Sequence, residues 1–302
     1  MTIQGAVPVL LMPFDDAGEI DDDGMRRQID FCLEAGSQAL AFGWGTESHL
    51  LTDEERKQAW TTAARHVDGR APLIAATTHP AEAGVVALTR IAKECGADAA
   101  MVNPDPLKGE ALVELYQRLS EEIGLALVVQ DAQGNASAED LIEAAKAASA
   151  ITSLKIESPA TPHKMGIVKA GLEGAVPPGR DVTILGGSNG ALLIEELDRG
   201  SIGTMPHPAM IDAFRLVVDQ HLGGDREAAW DTYTRVILPI ARLVQSVALK
   251  GGSLWLHKHL FKRAGIFKTD RCRMPSAVPP DWVMERILAS VRISGLKISS
   301  LV

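Results

Sequence analysis

The sequence predicts a (β/α)8 barrel, a TIM barrel with additional C-terminal helices. Three observations point to it. Within residues 1–224, strand-length apolar runs alternate eight times with helix-length segments. The connections between them are short, which favours parallel strands with helical crossovers. The first apolar run leads into "MPFDDAGEI", whereas an open doubly wound sheet would want a Gly-rich phosphate turn there. Eight units in about 220 residues match the barrel.

The elements follow in order. Strands are expected at 6–14, 39–44, 72–77, 99–104, 125–130, 151–156, 182–187 and 201–206. Helices are expected at 22–35, from Thr52 onward, and at 81–95, 109–123, 138–149, 162–173, 189–198 and 208–221. The second helix opens on "TDEER", with Thr52 as N-cap, Glu55 three residues on and acids in the first turn, the signature of a capping box. Gly36, Gly96 and Gly200 end helices in "LEAGSQALAF", "KECGADAAMV" and "LDRGSIGTMP", where a left-handed C-cap is wanted. Residues 225–302 read as three helices, 225–249, 253–265 and 280–295. They form a C-terminal extension packed on the barrel of residues 1–224.

Composition narrows the function. The chain has 302 residues, 46% of them apolar, and a net charge of -9. An acidic balance without a basic stripe argues against nucleic-acid binding. No apolar run reaches the ~18 residues of a membrane span. The N-terminus lacks the charged region of a secretory leader. Cys32, Cys95 and Cys272 are isolated, which suits a reduced, cytoplasmic location. No metal spacing is present. The "HKH" at 257–259 has no acidic or Cys partner at ligand spacing, and "DDDG" at 21–24 lacks the rest of a calcium loop.

In a barrel of this kind, function sits at the C-terminal ends of the strands. The sixth strand, "ITSLKIESP", carries Lys155 near that end. Strand residues alternate, so Leu154 and Ile156 face one way and Ser153, Lys155 and Glu157 the other. Lys155 then points into the barrel mouth. It could be half of a structural ion pair with Glu157 or Asp131. Alternatively it is a nucleophile, because a lysine in a dry pocket loses hydration of its charged form and offers a neutral amine to a keto group.

Several segments in order carry a resemblance over nearly the whole chain: "AVPVLLMPFDDAGEIDDDGMRRQIDFCLEAGSQAL", "GWGTESHLLTDEER", "SLKIES", "ILGGSN" and "GSIGTMPHP". They resemble the dihydrodipicolinate synthase / N-acetylneuraminate lyase family of class I aldolases. The resemblance implies a covalent imine on Lys155, no other cofactor, a small 2-keto acid as substrate, and a homo-oligomer, dimer or homotetramer. The chain departs from the usual pattern. Gln130 stands where the family's fifth-strand tyrosine belongs, "VNPDP" replaces the tyrosines after the fourth strand, and Trp44–Gly45 replace the double threonine. "VVQDAQ", "LKIESPATPHK", "TTH", "LLTDEER" and "DRCRMPSAVPP" are instead similar to the subgroup that dehydrates L-2-keto-3-deoxyarabonate. The expected function is therefore a Schiff-base lyase dehydrating a 2-keto-3-deoxy sugar acid. Alternatives are a pyruvate-dependent aldolase, dihydrodipicolinate synthase itself, and a non-catalytic keto-acid-binding protein.

Roles follow. Lys155 condenses with the C2 keto group. Glu157, about 6.6 Å further along the same strand face, moves a proton at C3 or C4, or else only pairs with Lys155. Gln130 orients a hydroxyl or water, since an amide does not transfer protons at neutral pH. The resemblance assigns the substrate carboxylate to backbone N–H groups at Gly45 and Thr46 and to the Thr46 hydroxyl; otherwise this is a strand-to-helix turn. Glu47 reads as an acid ordering that turn, and Trp44 as a pocket wall. His79 contacts substrate or is a loop histidine. Gly186, Gly187, Ser188 and Asn189 cradle distal hydroxyls or cap a helix. Asp131 holds a loop. His207, His257 and His259 read as surface or interface groups.

Overall fold

The computed structural model describes residues 1–132, 134–246 and 252–302. Its strands are β1 (Gly5–Ala6), β2 (Leu40–Ala41), β3 (Leu73–Ala76), β4 (Ala99–Val102), β5 (Ala126–Asp131), β6 (Ile151–Ile156), β7 (Thr183–Leu185) and β8 (Gly203–Thr204). All paired strands run parallel, β2 through β7 in sequence order and β1 beside β8. Single bridges join the two groups, Val9 to Ala41 and Gly186 to Thr204, and close the barrel.

The outer strands are shorter than expected, for a backbone reason. Proline has no N–H to give a ladder. Pro8 and Pro13 interrupt the first run and Pro206 the last. The chain there stays extended and bonds where it can: Val7 N–H donates to Thr204 O, Val9 N–H to Pro206 O and Leu10 N–H to Ala41 O.

Side-chain alternation divides the core. Val9, Ala41, Ile74, Met101, Val128 and Leu185 fill the lumen. Leu127, Val129, Leu154 and Ile156 pack outward against the helices. These are α1 (Asp22–Glu34), α2 (Asp53–Val67), α3 (Glu82–Glu94), α4 (Gly109–Glu122), α5 (Ala138–Ala147), α6 (Thr161–Leu172), α7 (Leu193–Asp198) and α8 (Ile211–Leu222). The capping box of α2 is formed, Glu55 N–H to Thr52 Oγ1 at 3.2 Å and Thr52 N–H to Glu55 Oε2 at 2.8 Å. Gly36, Gly96 and Gly200 have φ of 89°, 90° and 100°, the left-handed region that glycine enters without a Cβ clash. The seventh and eighth helices begin later than expected, behind single 3-10 turns at Ser188–Gly190 and Pro208–Met210.

The extension comprises α9 (Arg226–Thr232), α10 (Leu238–Ser246), α11 (Gly252–Arg263) and α12 (Asp281–Ile293). The helix expected over 225–249 is divided by a π-helical turn at Tyr233–Ile237. Pro239 follows it, and its missing N–H breaks the i→i−4 ladder. The last expected residues, Val247–Leu249, lie outside the described residues. Leu256, Phe261, Val283 and Ile287 join the same apolar cluster as Ile29, Trp60 and Phe214 of the barrel helices. Phe261 meets Phe31 of α1 edge-on, with ring centroids 5.3 Å apart.

Candidate active site

β5 and β6 pair in a register that sets Gln130 beside Lys155. Parallel neighbours in register project to the same face, here the lumen. Lys155 is 4% exposed. Its Nζ lies 2.9 Å from Glu157 Oε2, and Gln130 Nε2 donates to Glu157 Oε1 at 2.9 Å. Glu157 lies just past the end of β6, its N–H bonded to Asp131 O. Burial pushes the Glu157 carboxyl up, but the Lys155 charge, the Gln130 amide and the Ser188 N–H outweigh it and hold the group below its ordinary value. The result is a carboxylate held between an amine and an amide.

Gly187 makes room for this arrangement. A Cβ there would meet Glu157 Oε2 at 2.0 Å. Ser188 supplies its N–H to Glu157 Oε2 at 3.4 Å. Both residues thus shape Glu157. Asn189 is also engaged: its Oδ1 accepts from His207 N–H at 3.1 Å and its Nδ2 lies 3.2 Å from His257 Nε2.

Gly45 lines a cavity of about 380 Å3 together with Lys155, Glu157, Asn189 and His207. A Cβ on Gly45 would meet His207 Cε1 at 2.6 Å, so the glycine is required by the histidine ring. The Thr46 expectation is corrected. Its hydroxyl donates to Leu10 O at 2.6 Å and accepts from Gly43 N–H at 2.9 Å, and its own N–H bonds Gly43 O. Fully buried, Thr46 holds the β2 loop to the first strand segment.

His79 is exposed, with Nδ1 held by the Ala81 backbone. It lines a second cavity, of about 850 Å3, which shares Trp44, Glu157 and Ser188 with the first. Asp131 takes the loop-holding role: Lys164 Nζ at 2.7 Å and Ser158 Oγ at 2.6 Å bind its Oδ2. Glu47 is fully buried against Lys258, Nζ to Oε2 2.5 Å, and accepts from Met274 N–H at 2.6 Å. That pair ties the Gly45 loop to α11 and to the segment after it.

Of the three histidines read as surface or interface groups, two are placed at the barrel mouth instead, His207 and His257. His259 pairs with Asp270 at 2.8 Å. His207 and His257 pack against each other at the mouth, centroids 4.3 Å apart. Burial, helped by the Lys155 charge, pushes His207 down to about 4, and burial takes His257 well below its ordinary value. Both rings are therefore neutral at pH 7. A signal for His207 was available: it stands just past the eighth strand, as Glu157 stands just past the sixth. His257 carried none, since it arrives from the C-terminal extension.

Glu196 of α7 was also missed. It is 1% exposed, neither side-chain oxygen has a hydrogen-bond partner, and a Cβ on Gly186 would meet its Oε2 at 1.9 Å. Burial, then the Glu157 and Glu195 charges, push it up to about 8. Among the described residues no group of three or more His, Cys, Asp or Glu could hold a metal ion. No helix among them is long and apolar enough to cross a membrane.

Fold and site together define a class: a closed (β/α)8 barrel with a buried lysine–carboxylate pair at the C-terminal ends of its strands. Residues 2–150 match the family model described as the dihydrodipicolinate synthetase family. Over that stretch the chain is similar to that family. It is 28% identical to an L-2-keto-3-deoxyarabonate dehydratase of Azospirillum brasilense, over 97% of this chain and 95% of the relative. It is 26% identical to a 4-hydroxy-tetrahydrodipicolinate synthase of Methanothermobacter thermautotrophicus, over 77% and 84%. Among solved structures, a dihydrodipicolinate synthase from Rhodopseudomonas palustris superposes with a TM-score of 0.86 at 23% identity, covering 96% of this chain and 98% of the other.

Proposed function

We propose that this chain is a Schiff-base-forming lyase that dehydrates a 2-keto-3-deoxy sugar acid. The observation that carries this reading is the Lys155–Glu157–Gln130 cluster, with both contacts to Glu157 at 2.9 Å. The Lys155 amine adds to the C2 carbonyl, and the carbinolamine loses water to give a protonated imine. Glu157 takes a proton from C3, leaving an enamine. The enamine electrons expel the C4 hydroxyl, which leaves as water with a proton returned by the carboxyl group. Water then hydrolyses the unsaturated imine and frees Lys155, and for a five-carbon acid a proton shift from C5 to C3, with ketonisation of the resulting enol, turns the released allylic alcohol into the semialdehyde. The net change is loss of one water. The relative that matches over 97% of the chain carries the name of such a dehydratase.

Gln130 in the fifth-strand position favours dehydration over condensation. Among the described residues, the two tyrosines lie elsewhere: Tyr116 donates to Val102 O and Tyr233 to Ala191 O. Neither reaches the Lys155 cluster to act as a proton relay. Three free cysteines suit a reducing cytoplasm, and the resemblance favours a homotetramer, which light scattering on the purified protein would test.

The test is reductive trapping. Borohydride added with pyruvate or with L-2-keto-3-deoxyarabonate is expected to leave one adduct, on Lys155, by peptide mass spectrometry. Product analysis then reads the bond broken: a semialdehyde for dehydration, pyruvate plus an aldehyde for cleavage. An adduct on another lysine, or none in a folded sample, would sink the reading.

A further inference from the structure

The larger cavity is lined by a buried cation that makes no ion pair among the described residues. Arg56, on the second turn of α2, is 8% exposed and lines this space beside Ser48, Thr78, Asn103, Asp105 and Glu157. Its Nε is buried without a hydrogen-bond partner, and Arg56 makes no ion pair among the described residues. Asp53, one turn earlier, acts on it only at a distance. A guanidinium stays charged throughout the physiological range, and a buried charge without a counter-charge is costly. Ser48 Oγ and Asp105 Oδ2 are likewise buried and unpartnered. The cavity is polar, roomy and electrostatically unfinished.

Its position supplies the missing partner. Glu157 lines both cavities. A keto acid with C2 on Lys155 and C3 against Glu157 has its carboxylate end in the smaller space. Its remaining carbons then pass Glu157 into the larger one. About 850 Å3 is more than a terminal hydroxymethyl group needs, and Arg56 presents the fork that matches carboxylate or phosphate oxygens. Asp105, an acceptor, suits a chain hydroxyl between the two ends.

We infer that Arg56 binds an anionic group at the far end of a 2-keto-3-deoxy acid, either a second carboxylate or a terminal phosphate. The inference rests on the Schiff-base reading above and names the substrate class within it.

Trapping of pyruvate on Lys155 of the wild-type protein comes first, because it needs no far end. Absence of the adduct removes the Schiff-base reading and this inference with it. Once the adduct is seen, kcat/KM is measured for three 2-keto-3-deoxy acids ending in hydroxymethyl, carboxylate or phosphate. The wild type is expected to prefer one of the anionic acids, and which one identifies the group. Arg56→Gln is expected to narrow that preference by about 10–100-fold, the worth of one charged hydrogen bond or a pair, with the loss mainly in KM. Arg56→Lys, which keeps the charge, is expected to recover part of it, and it carries the test if the Gln variant does not fold. A hydroxymethyl-ended acid as the best substrate, or equal losses on all three, overturns the inference and leaves the imine chemistry standing. So does a change of oligomeric state in Arg56→Gln with the preference intact, since the counter-charge would then come from a second copy.

Discussion

At the scale of single residues, the proposed chemistry divides between Lys155 and Glu157, and their variants would separate the two roles. Lys155→Arg keeps the charge beside Glu157 but cannot form the imine, so borohydride adducts and turnover are both expected to vanish. Glu157→Gln keeps the hydrogen-bonding shape and removes the base. Turnover is expected to fall by about 10²–10⁴-fold while the Lys155 adduct still forms. Glu196 makes a different kind of prediction. Its folded pKa, about 8, lies above that of a free carboxyl, so the folded state binds the extra proton. Its contribution to stability is full below about pH 4.5 and is lost as pH rises toward 8. Glu196→Gln is therefore expected to raise the melting temperature at pH 8, by the equivalent of up to roughly 4 kcal/mol, and to leave it nearly unchanged at pH 4.5. Equal effects at both pH values would contradict the assignment.

At the scale of elements, the loop after β2 shows how a site is held from far away in the chain. Its backbone turns through a left-handed residue, Glu47, at φ 56°, and the carboxylate is pinned by Lys258 from α11. Lys258 also donates to Arg271 O at 2.8 Å and lies 4.7 Å from the centre of the Phe14 ring. Removing one member of a buried pair leaves the other uncompensated, which costs about 3–5 kcal/mol. Lys258→Met is expected to lose that much in urea unfolding and to weaken substrate binding through Gly45. The double variant Lys258→Met/Glu47→Leu is expected to regain much of the stability, and additive losses would refute the coupling. The alternation of β6 was legible beforehand, because a period of two needs only the strand and its two faces. The length of the outer strands was less so, since hydropathy does not register where proline withholds a donor.

For the whole molecule, the barrel and the extension share one apolar cluster. Thermal or urea unfolding is expected to give a single transition by near- and far-UV dichroism, and a chain cut after residue 224 is expected to expose apolar surface and aggregate. Acid acts on the molecule through the mouth. His207 is half-buried and His257 buried, and both have pKa values below that of a free imidazole. Their contribution to stability is full above about pH 6.5 and is lost as pH falls toward 4. A His257→Gln variant is expected to show a shallower loss of melting temperature over that window.

The sequence by itself determined the barrel, the capping box of α2, the C-cap glycines, and the lysine and carboxylate on one face of the sixth strand. Each follows from local periodicity or from the backbone needs of a few neighbouring residues. Only the tertiary structure decided that Thr46 turns away from the mouth, that Gly45 and Gly187 exist to admit His207 and Glu157, and that His207, His257, Glu196 and Arg56 gather around the site. Those facts depend on contacts between segments far apart in the chain. His257 and Asn189 are separated by 68 positions and Glu47 and Lys258 by 211, distances over which no local pattern specifies which side chains will meet.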